Sequence, residues 1–215
     1  MNTAVKPEEH RLSNEAQSYY SIPGATTIGL VFADGVILAA EKRVTYGSMI
    51  ISKTVKKVFK IADHVGAACA GLVSDMQILV REVEAQASLF KLDAKRTMSV
   101  NAAAKVMSNV LFNRRMIPLI TQTIVGGMDE DKPAIYVLDV LGSLLPDEYA
   151  AVGSGAQMAT GVLEQEYEDY MSLQDAKALI LKAMKSAISR DIMSGDGADF
   201  LIITKDEIHE ETVNF

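Results

Sequence analysis

The order of the predicted strands and helices constrains the fold of this chain more than any other feature of its sequence. Residues 26–33 (TTIGLVFA) and 36–40 (VILAA) are apolar and rich in β-branched side chains, which is typical of strands. Asp34-Gly35 lies between them and is a two-residue hairpin signal. An antiparallel strand pair therefore opens the folded part of the chain.

Further strands and two pairs of helices follow this hairpin. The pattern predicts strands over residues 57–61, 64–70, 119–125, 134–140, 149–152 and 199–204, the last closing the domain. Apolar residues at helical spacing predict helices over residues 75–89, 99–114, 156–167 and 173–192, and Ser172 with Asp175 fits an N-cap with an acidic first turn. Stacked sheets between two helical layers bury every apolar face, so we expect an α+β fold of this form.

Residues 1–24 have a different character from the rest of the chain. They are polar and mixed in charge, contain Pro7 and Pro23, and have no amphipathic period. They also lack the continuous apolar core of a secretory signal. We interpret residues 1–24 as a flexible extension or a removable propeptide, and residues 25–215 as one domain.

Composition excludes several classes of function. The net charge of −7 argues against a nucleic-acid-binding role, which usually requires a basic face. No run approaches the roughly 18 consecutive apolar residues of a membrane span. The single cysteine, Cys69, excludes an intramolecular disulfide and suits a reducing compartment. We expect a cytoplasmic protein.

The usual nucleophile machinery and metal-site patterns are missing from the sequence. His10, His64 and His209 are scattered, and we interpret them as surface residues. Cys69 lies in the apolar run GAACAG, so we expect a buried thiol. The acidic run at residues 129–131 looks like a solvated turn, SGDGAD lacks the length and closing glutamate of a calcium loop, and GSGAQMATG lacks the lysine of a phosphate-binding loop. We expect no metal and no cofactor.

A set of short motifs carries the chemistry instead. They are GATTIG (residues 24–29), EKRVTYG (41–47), Lys57, AGLVSD (70–75), GSG (153–155) and SRDIMSGDG (189–197). Their order and spacing resemble those of archaeal-type proteasome β subunits, from Gly24 to about Thr204. The resemblance implies the four-layer αββα sandwich of N-terminal-nucleophile hydrolases.

The resemblance also implies a catalytic mechanism. In this family, cleavage after a glycine, here Gly24, exposes a threonine as the new N-terminus. A hydroxyl is a weak nucleophile and needs a base. The free α-amino group can serve, because its pKa of about 7.7–8.0 leaves part of it neutral near pH 7.

The remaining site residues are carried over by position. Lys57 matches the family's lysine beside the nucleophile, and Glu41 the acidic residue that holds it charged. Ser154, Asp191 and Ser194 match the group around the terminal amine. Gly71 matches the residue whose backbone N–H stabilises the oxyanion. Taken singly, Glu41 and Lys57 could instead be a surface ion pair, Asp191 a helix-end cap and Ser194 part of a turn.

Substrate-binding residues follow from the same resemblance. Thr45, Gly71 and Val73 would hold a peptide by main-chain pairing, as an added strand. The pocket for the residue before the cut would be lined by Val44, Val55, Cys69 and Val73. These side chains are small and mostly apolar, which favours a hydrophobic residue and argues against strict preference for Lys or Arg.

The sequence departs from the family at the nucleophile itself. Alanine stands at position 25, where the family has threonine. Cleavage before Thr26 would break the spacing to every other site residue, and one step along a strand turns the side chain to the other face, away from Lys57. Because alanine has no Oγ, we expect no peptide cleavage by this chain and no removal of the leader, at least when every subunit carries Ala25. Ala25 is either a deliberate replacement, which the otherwise intact machinery favours, or the mark of a naturally inactive subunit.

The resemblance implies partners as well: proteasome α subunits, other β subunits in seven-membered rings, an ATP-dependent unfoldase and unfolded polypeptide substrates. Three other functions compete. They are a structural ring subunit without activity, a subunit of the bacterial two-ring protease, whose chains usually have almost no leader, and an unrelated binding module of αββα form.

Overall fold

The computed structural model describes residues 24–215. The expectations for His10 and for residues 1–23 of the leader therefore lie outside the described residues. The strands are β1 (Thr26–Phe32), β2 (Gly35–Glu41), β3 (Val44–Tyr46), β4 (Met49–Ser52), β5 (Val58–Ala62), β6 (Val65–Gly71), β7 (Thr121–Asp129), β8 (Lys132–Leu138), β9 (Leu144–Asp147), β10 (Tyr149–Gly153), β11 (Ala198–Thr204) and β12 (Ile208–Val213). The helices are α1 (Val73–Ala94), α2 (Val100–Asn113), α3 (Ala156–Glu166) and α4 (Leu173–Ile188).

Two five-stranded antiparallel sheets form the centre of the domain. The first sheet has the order β10-β1-β2-β11-β12, and the second has the order β5-β6-β7-β8-β9. Strands β3 and β4 form a separate hairpin. Helices α3 and α4 cover the outer face of the first sheet, and α1 and α2 cover the outer face of the second. The predicted α+β class and four-layer αββα sandwich are confirmed.

The central strands β2 and β11 are mainly apolar because both of their faces are buried. On β2, Ile37 and Ala39 pack in the cluster beneath α3 and α4. Val36, Leu38 and Ala40 pack in the cluster between the two sheets. A third cluster joins α1 and α2 to the second sheet. Three apolar layers therefore separate the four layers of secondary structure.

The predicted β1–β2 hairpin is present, but its turn lies one residue earlier than expected. Phe32 pairs with Gly35, so Ala33 and Asp34 form the two-residue turn. Gly35 already belongs to β2, where an added Cβ would lie 2.1 Å from the carbonyl oxygen of Ile203 on β11. The glycine is needed for close approach of a neighbouring strand rather than for the turn.

The helices match the predicted segments with shifted ends. The predicted cap of α4 is confirmed, since the Ser172 hydroxyl accepts a hydrogen bond from the Asp175 amide. Helix α4 ends at Ile188, four residues before the predicted end, which leaves Asp191 in the following loop. Helix α1 extends to Ala94, and the next residue, Lys95, has a left-handed backbone conformation that ends it. None of the helices in residues 24–215 is long and apolar enough to cross a bilayer.

Four strands were not predicted, namely β3, β4, β9 and β12. Strand β12 is an edge strand with the sequence IHEETV. Most of its side chains are polar, so the sequence lacks the alternation of apolar and polar residues that predicts a strand. Strand β9 contains Pro146 and lies at the edge of the second sheet, where a missing N–H is tolerated. The prediction that residues 199–204 form the last strand is therefore wrong, because β12 follows it and pairs with it.

Replacing Gly35 tests the close packing of β2 on β11. Gly35→Ala should lower the free energy of unfolding by about 1–3 kcal/mol, because the new methyl group meets backbone atoms that cannot move aside. Gly161→Ala is the matched control, since Gly161 lies inside α3 with open space around it, and there alanine should stabilise by up to about 1 kcal/mol. Chemical denaturation of both variants and the parent measures the difference. Equal stabilities for the two variants would contradict this packing.

Candidate functional site

The start of β1 places three consecutive side chains at one end of the sandwich. The Thr26 Oγ1 lies 2.8 Å from the Ser194 Oγ, while the Thr27 Oγ1 donates to the carbonyl oxygen of Cys69 at 3.0 Å on the second sheet. Successive side chains thus face opposite sides of the strand. Ala25 is fully buried and packs in the cluster between the sheets, which also contains Val58. Position 25 therefore faces the side on which Thr27 meets the second sheet.

Lys57 and Glu41 form an ion pair inside the domain. Lys57 is 1% exposed and Glu41 is 0% exposed. The Lys57 Nζ donates to Glu41 Oε1 and to the carbonyl oxygen of Arg43 at 2.6 Å. Glu41 Oε2 accepts the backbone N–H groups of Arg43 at 2.7 Å and Gly195 at 3.0 Å. This pair is not the surface ion pair that was the alternative interpretation.

Burial dominates the electrostatics of this pair. Desolvation lowers the pKa of Lys57 below its ordinary value, and the negative charges of Glu41 and Asp191 oppose that shift. Desolvation likewise raises the pKa of Glu41, against the opposing effect of Lys57 and the two backbone donors. An ammonium group with a lowered pKa at this position can give up or share a proton more readily than a surface lysine.

The second polar group is a cluster of two serines around one carboxylate. Asp191 Oδ2 accepts hydrogen bonds from Ser154 Oγ at 2.5 Å and from Ser194 Oγ at 2.7 Å. Asp191 Oδ1 accepts the backbone N–H of Met193 at 3.0 Å. The Ser154 Oγ also lies 3.3 Å from the carbonyl oxygen of Ala25. The structure thus brings together the three residues predicted to surround the terminal amine. The Asp191 carboxylate accepts these hydrogen bonds from loop residues and not from a helix end, although the Asp191 N–H donates to the carbonyl of Ala187 in the last turn of α4.

Gly71 ends β6 next to this group. Its φ of +141° lies in the region that favours glycine, and an added Cβ would lie 2.2 Å from the carbonyl oxygen of Ile120. Val73 begins α1 two residues later, and Thr45 is the buried central residue of β3. The predicted peptide-holding residues therefore lie on three separate elements, β3, β6 and α1. Their roles toward a substrate stay predictions.

An open pocket of about 450 Å³ adjoins Gly24. Its lining is mostly apolar and consists of Gly24, Ala70, Gly71, Ile120, Thr121, Gln122, Val140, Gly153, Ser154 and Met193. The four residues predicted to line the pocket for the residue before the cut do not line this one. Val44, Val55 and Val73 are half-buried elsewhere. Cys69 is fully buried in the cluster that packs against α1 and α2, so its side chain forms no part of a pocket surface.

Arg43 and Gly195 were missed by the sequence interpretation. Arg43 contributes its amide, its carbonyl and its guanidinium to contacts within the site. Gly195 donates to Glu41 and leaves room for the Arg43 side chain. Arg43 lies inside the motif EKRVTYG and Gly195 inside SRDIMSGDG, but no local spacing in the sequence links the two segments.

Fold and site together define the class of protein. A four-layer αββα sandwich with a buried Lys–Glu pair at the end where its opening strand begins is the architecture of N-terminal-nucleophile hydrolases. The family model described as "Proteasome subunit" matches residues 23–203. The chain belongs to the proteasome family, among the archaeal-type β subunits.

Curated archaeal relatives agree over most of the chain. The proteasome subunit beta 1 of Cenarchaeum symbiosum (strain A) is 53% identical over 182 residues, which cover 85% of this chain and 94% of the relative. The proteasome subunit beta 1 of Nitrosopumilus maritimus (strain SCM1) is 51% identical, covering 89% and 96%. The proteasome subunit beta 1 of Ignicoccus hospitalis (strain KIN4/I / DSM 18386 / JCM 14125) is 45% identical, covering 84% and 91%.

A double-mutant cycle tests the buried ion pair. Lys57→Met leaves the Glu41 carboxylate unpaired, and Glu41→Gln leaves the Lys57 ammonium unpaired, so each should lower the free energy of unfolding by about 3–5 kcal/mol. The double variant should lose clearly less than the sum, because the glutamine carbonyl still accepts the two backbone N–H groups and no buried charge remains. Denaturation curves of the four proteins give the coupling. Additive losses would show that the two groups do not interact.

The thiol of Cys69 should be inert in the folded protein. Burial raises its pKa to about 12, so almost no thiolate exists near neutral pH. Iodoacetamide at mildly alkaline pH should leave Cys69 unlabelled in the native chain and label it fully after unfolding, as read by intact mass. Rapid labelling of the native protein would show that this part of the core is open to solvent.

Proposed function

We propose that this chain is a β subunit of the proteasome core particle whose threonine-protease site is complete except for the nucleophile. The observation that carries the proposal is the buried Lys57–Glu41 pair at the end of the sandwich where β1 begins. Glu41 ends β2 beside the start of β1, and Val58, the neighbour of Lys57, packs in the same cluster as Ala25, which has no hydroxyl group. A buried ion pair adds little stability compared with an apolar pair of the same size. A catalytic use accounts for its presence better than a structural one.

A hydroxyl at position 25 would meet the groups that its chemistry requires. Its oxygen would attack the Gly24 carbonyl carbon and form an ester as the peptide bond breaks, and water would then hydrolyse the ester to release the leader. Lys57 would stabilise negative charge on the attacking oxygen. In substrate cleavage the freed α-amino group would take the proton of the hydroxyl. Ser154, Asp191 and Ser194 would hold this amino group in place. The Gly71 backbone N–H would stabilise the oxyanion.

Ala25 removes the first step of this chemistry and leaves the rest. A particle in which every subunit carries Ala25 would therefore keep residues 1–24, and residue 25 would have no free α-amino group. For this sequence, a disabled protease subunit and a structural ring subunit behave alike.

The family membership supports assembly with α subunits and other β subunits in seven-membered rings. Within such a particle, the site would face an internal chamber. The particle would be cytoplasmic, and an ATP-dependent unfoldase would supply the chamber with unfolded polypeptides. The archaeal relatives support this arrangement over the bacterial two-ring protease.

Negative-stain imaging of particles assembled with α subunits should show four stacked rings. Two rings alone would favour the bacterial form.

Restoring the hydroxyl tests the proposal. Ala25→Thr in the assembled particle should cleave after Gly24 and raise peptidase activity by at least about 10²-fold over the parent, because it supplies the missing nucleophile. Ala25→Val is the matched control, since valine has the shape of threonine without Oγ, and it should retain the leader and stay inactive. Intact mass spectrometry identifies the new N-terminus, and a hydrophobic fluorogenic peptide reports activity.

Two outcomes would count against the proposed site. The first is an Ala25→Thr particle that keeps residues 1–24 and shows no peptidase activity. The second is cleavage before Thr26 in the parent, which would move the nucleophile to the wrong face of β1. Ala25→Thr combined with Thr26→Val separates these cases, because it should still cleave after Gly24.

A further inference from the structure

The backbone of Arg43 binds one polar half of the site, the Lys57–Glu41 pair. It lies in the two-residue connection between β2 and β3. Its N–H donates to Glu41 Oε2 at 2.7 Å, and its carbonyl oxygen accepts from Lys57 Nζ at 2.6 Å. The position of the Lys57 ammonium is therefore fixed partly by the backbone of residue 43.

The side chain of Arg43 reaches the other half. Its Nε donates to Asp196 Oδ2 at 2.7 Å, and its Nη1 donates to the carbonyl oxygen of Ile192 at 2.9 Å. These two acceptors lie on either side of Ser194. The guanidinium thus holds the chain at both ends of the short segment that carries Ser194, with Asp191 just before it.

The segment around Gly195 is shaped to receive this guanidinium. A Cβ on Gly195 would lie 2.3–2.8 Å from three atoms of the Arg43 guanidinium group. Asp196 adopts a left-handed φ of +67°, and its carboxylate meets Arg43. The hydrogen bond from Arg43 is the main reason that the pKa of Asp196 lies below its usual range. Glycine at 195 and a charged carboxylate at 196 both serve the same contact.

We infer that Arg43 is a positioning residue, which sets the Ser154–Asp191–Ser194 cluster at its working distance from Lys57 by binding Ile192 and Asp196. This inference rests on the proposed function, because it concerns the same site. Lysine cannot replace arginine here, since a single ammonium does not reproduce the planar fork that meets a carboxylate and a carbonyl together.

The experiment follows leader removal in the Ala25→Thr background. Arg43→Lys should lower the first-order rate constant of cleavage after Gly24 by about tenfold or more, with full final cleavage, because the reacting groups are displaced rather than lost. Gly195→Ala should do the same by pushing the guanidinium aside. Arg114→Lys is the matched control, since Arg114 pairs with Glu82 at an exposed site, and it should leave the rate unchanged.

The rate constant separates positioning from mere stability. A purely structural role for Arg43 would reduce the cleaved fraction of the sample while the cleaved molecules react at the parental rate. That result, or an unchanged rate with full cleavage in Arg43→Lys, would overturn the inference while the proposed function stands. If Ala25→Thr itself does not cleave, the proposed function fails, and the positioning role of Arg43 fails with it.

Hydrogen exchange in the unreactive Ala25 protein measures the clamp without any activity. Peptides covering residues 189–197 should exchange several-fold faster in Arg43→Lys than in the parent, while peptides from β6 and β7 should not change. Unchanged exchange over residues 189–197 would show that the guanidinium does not hold this segment, and would overturn the inference even if Ala25→Thr is active.

Discussion

The ion pair between Lys57 and Glu41 is the interaction on which the rest of the site depends. Removing two charges from water costs several kcal/mol per ion even after relaxation, so a buried pair persists only where other groups complete its hydrogen bonds. Here the Arg43 carbonyl, the Arg43 amide and the Gly195 amide do so. Two chain segments far apart in sequence must therefore meet at one point, and their meeting builds the site.

The sandwich fixes the direction in which each residue of β1 points. Both faces of the first sheet are buried, one against helices and one against the second sheet, so a shift of one residue would exchange their side chains. Thr26 is committed to Ser194 and Thr27 to the carbonyl of Cys69. A hydroxyl at position 25 would face the second sheet, as Thr27 does, two residues closer to the start of the chain. Under the proposed function, the alanine there would remove the nucleophile and leave the frame of the site in place.

Local patterns in the sequence predicted most of the fold. Buried strands such as β2 and the capped start of α4 carry strong signals, because continuous apolar runs and an N-cap serine act over a few residues. The polar edge strand β12 and the Pro-containing β9 lack such signals. The contact between Arg43 and Asp196 spans 153 positions, and nothing local encodes it. The resemblance to a family identified the other site residues, but it did not identify this contact.

An experimental structure of the Ala25→Thr particle tests the central claim most directly, because it measures the distance between the hydroxyl oxygen introduced at position 25 and the Lys57 Nζ. These two atoms should lie within hydrogen-bond range, about 3 Å, with residue 25 as the free N-terminus. A threonine side chain at position 25 that faces Ser194 instead, or that lies more than about 6 Å from the ammonium, would contradict the account.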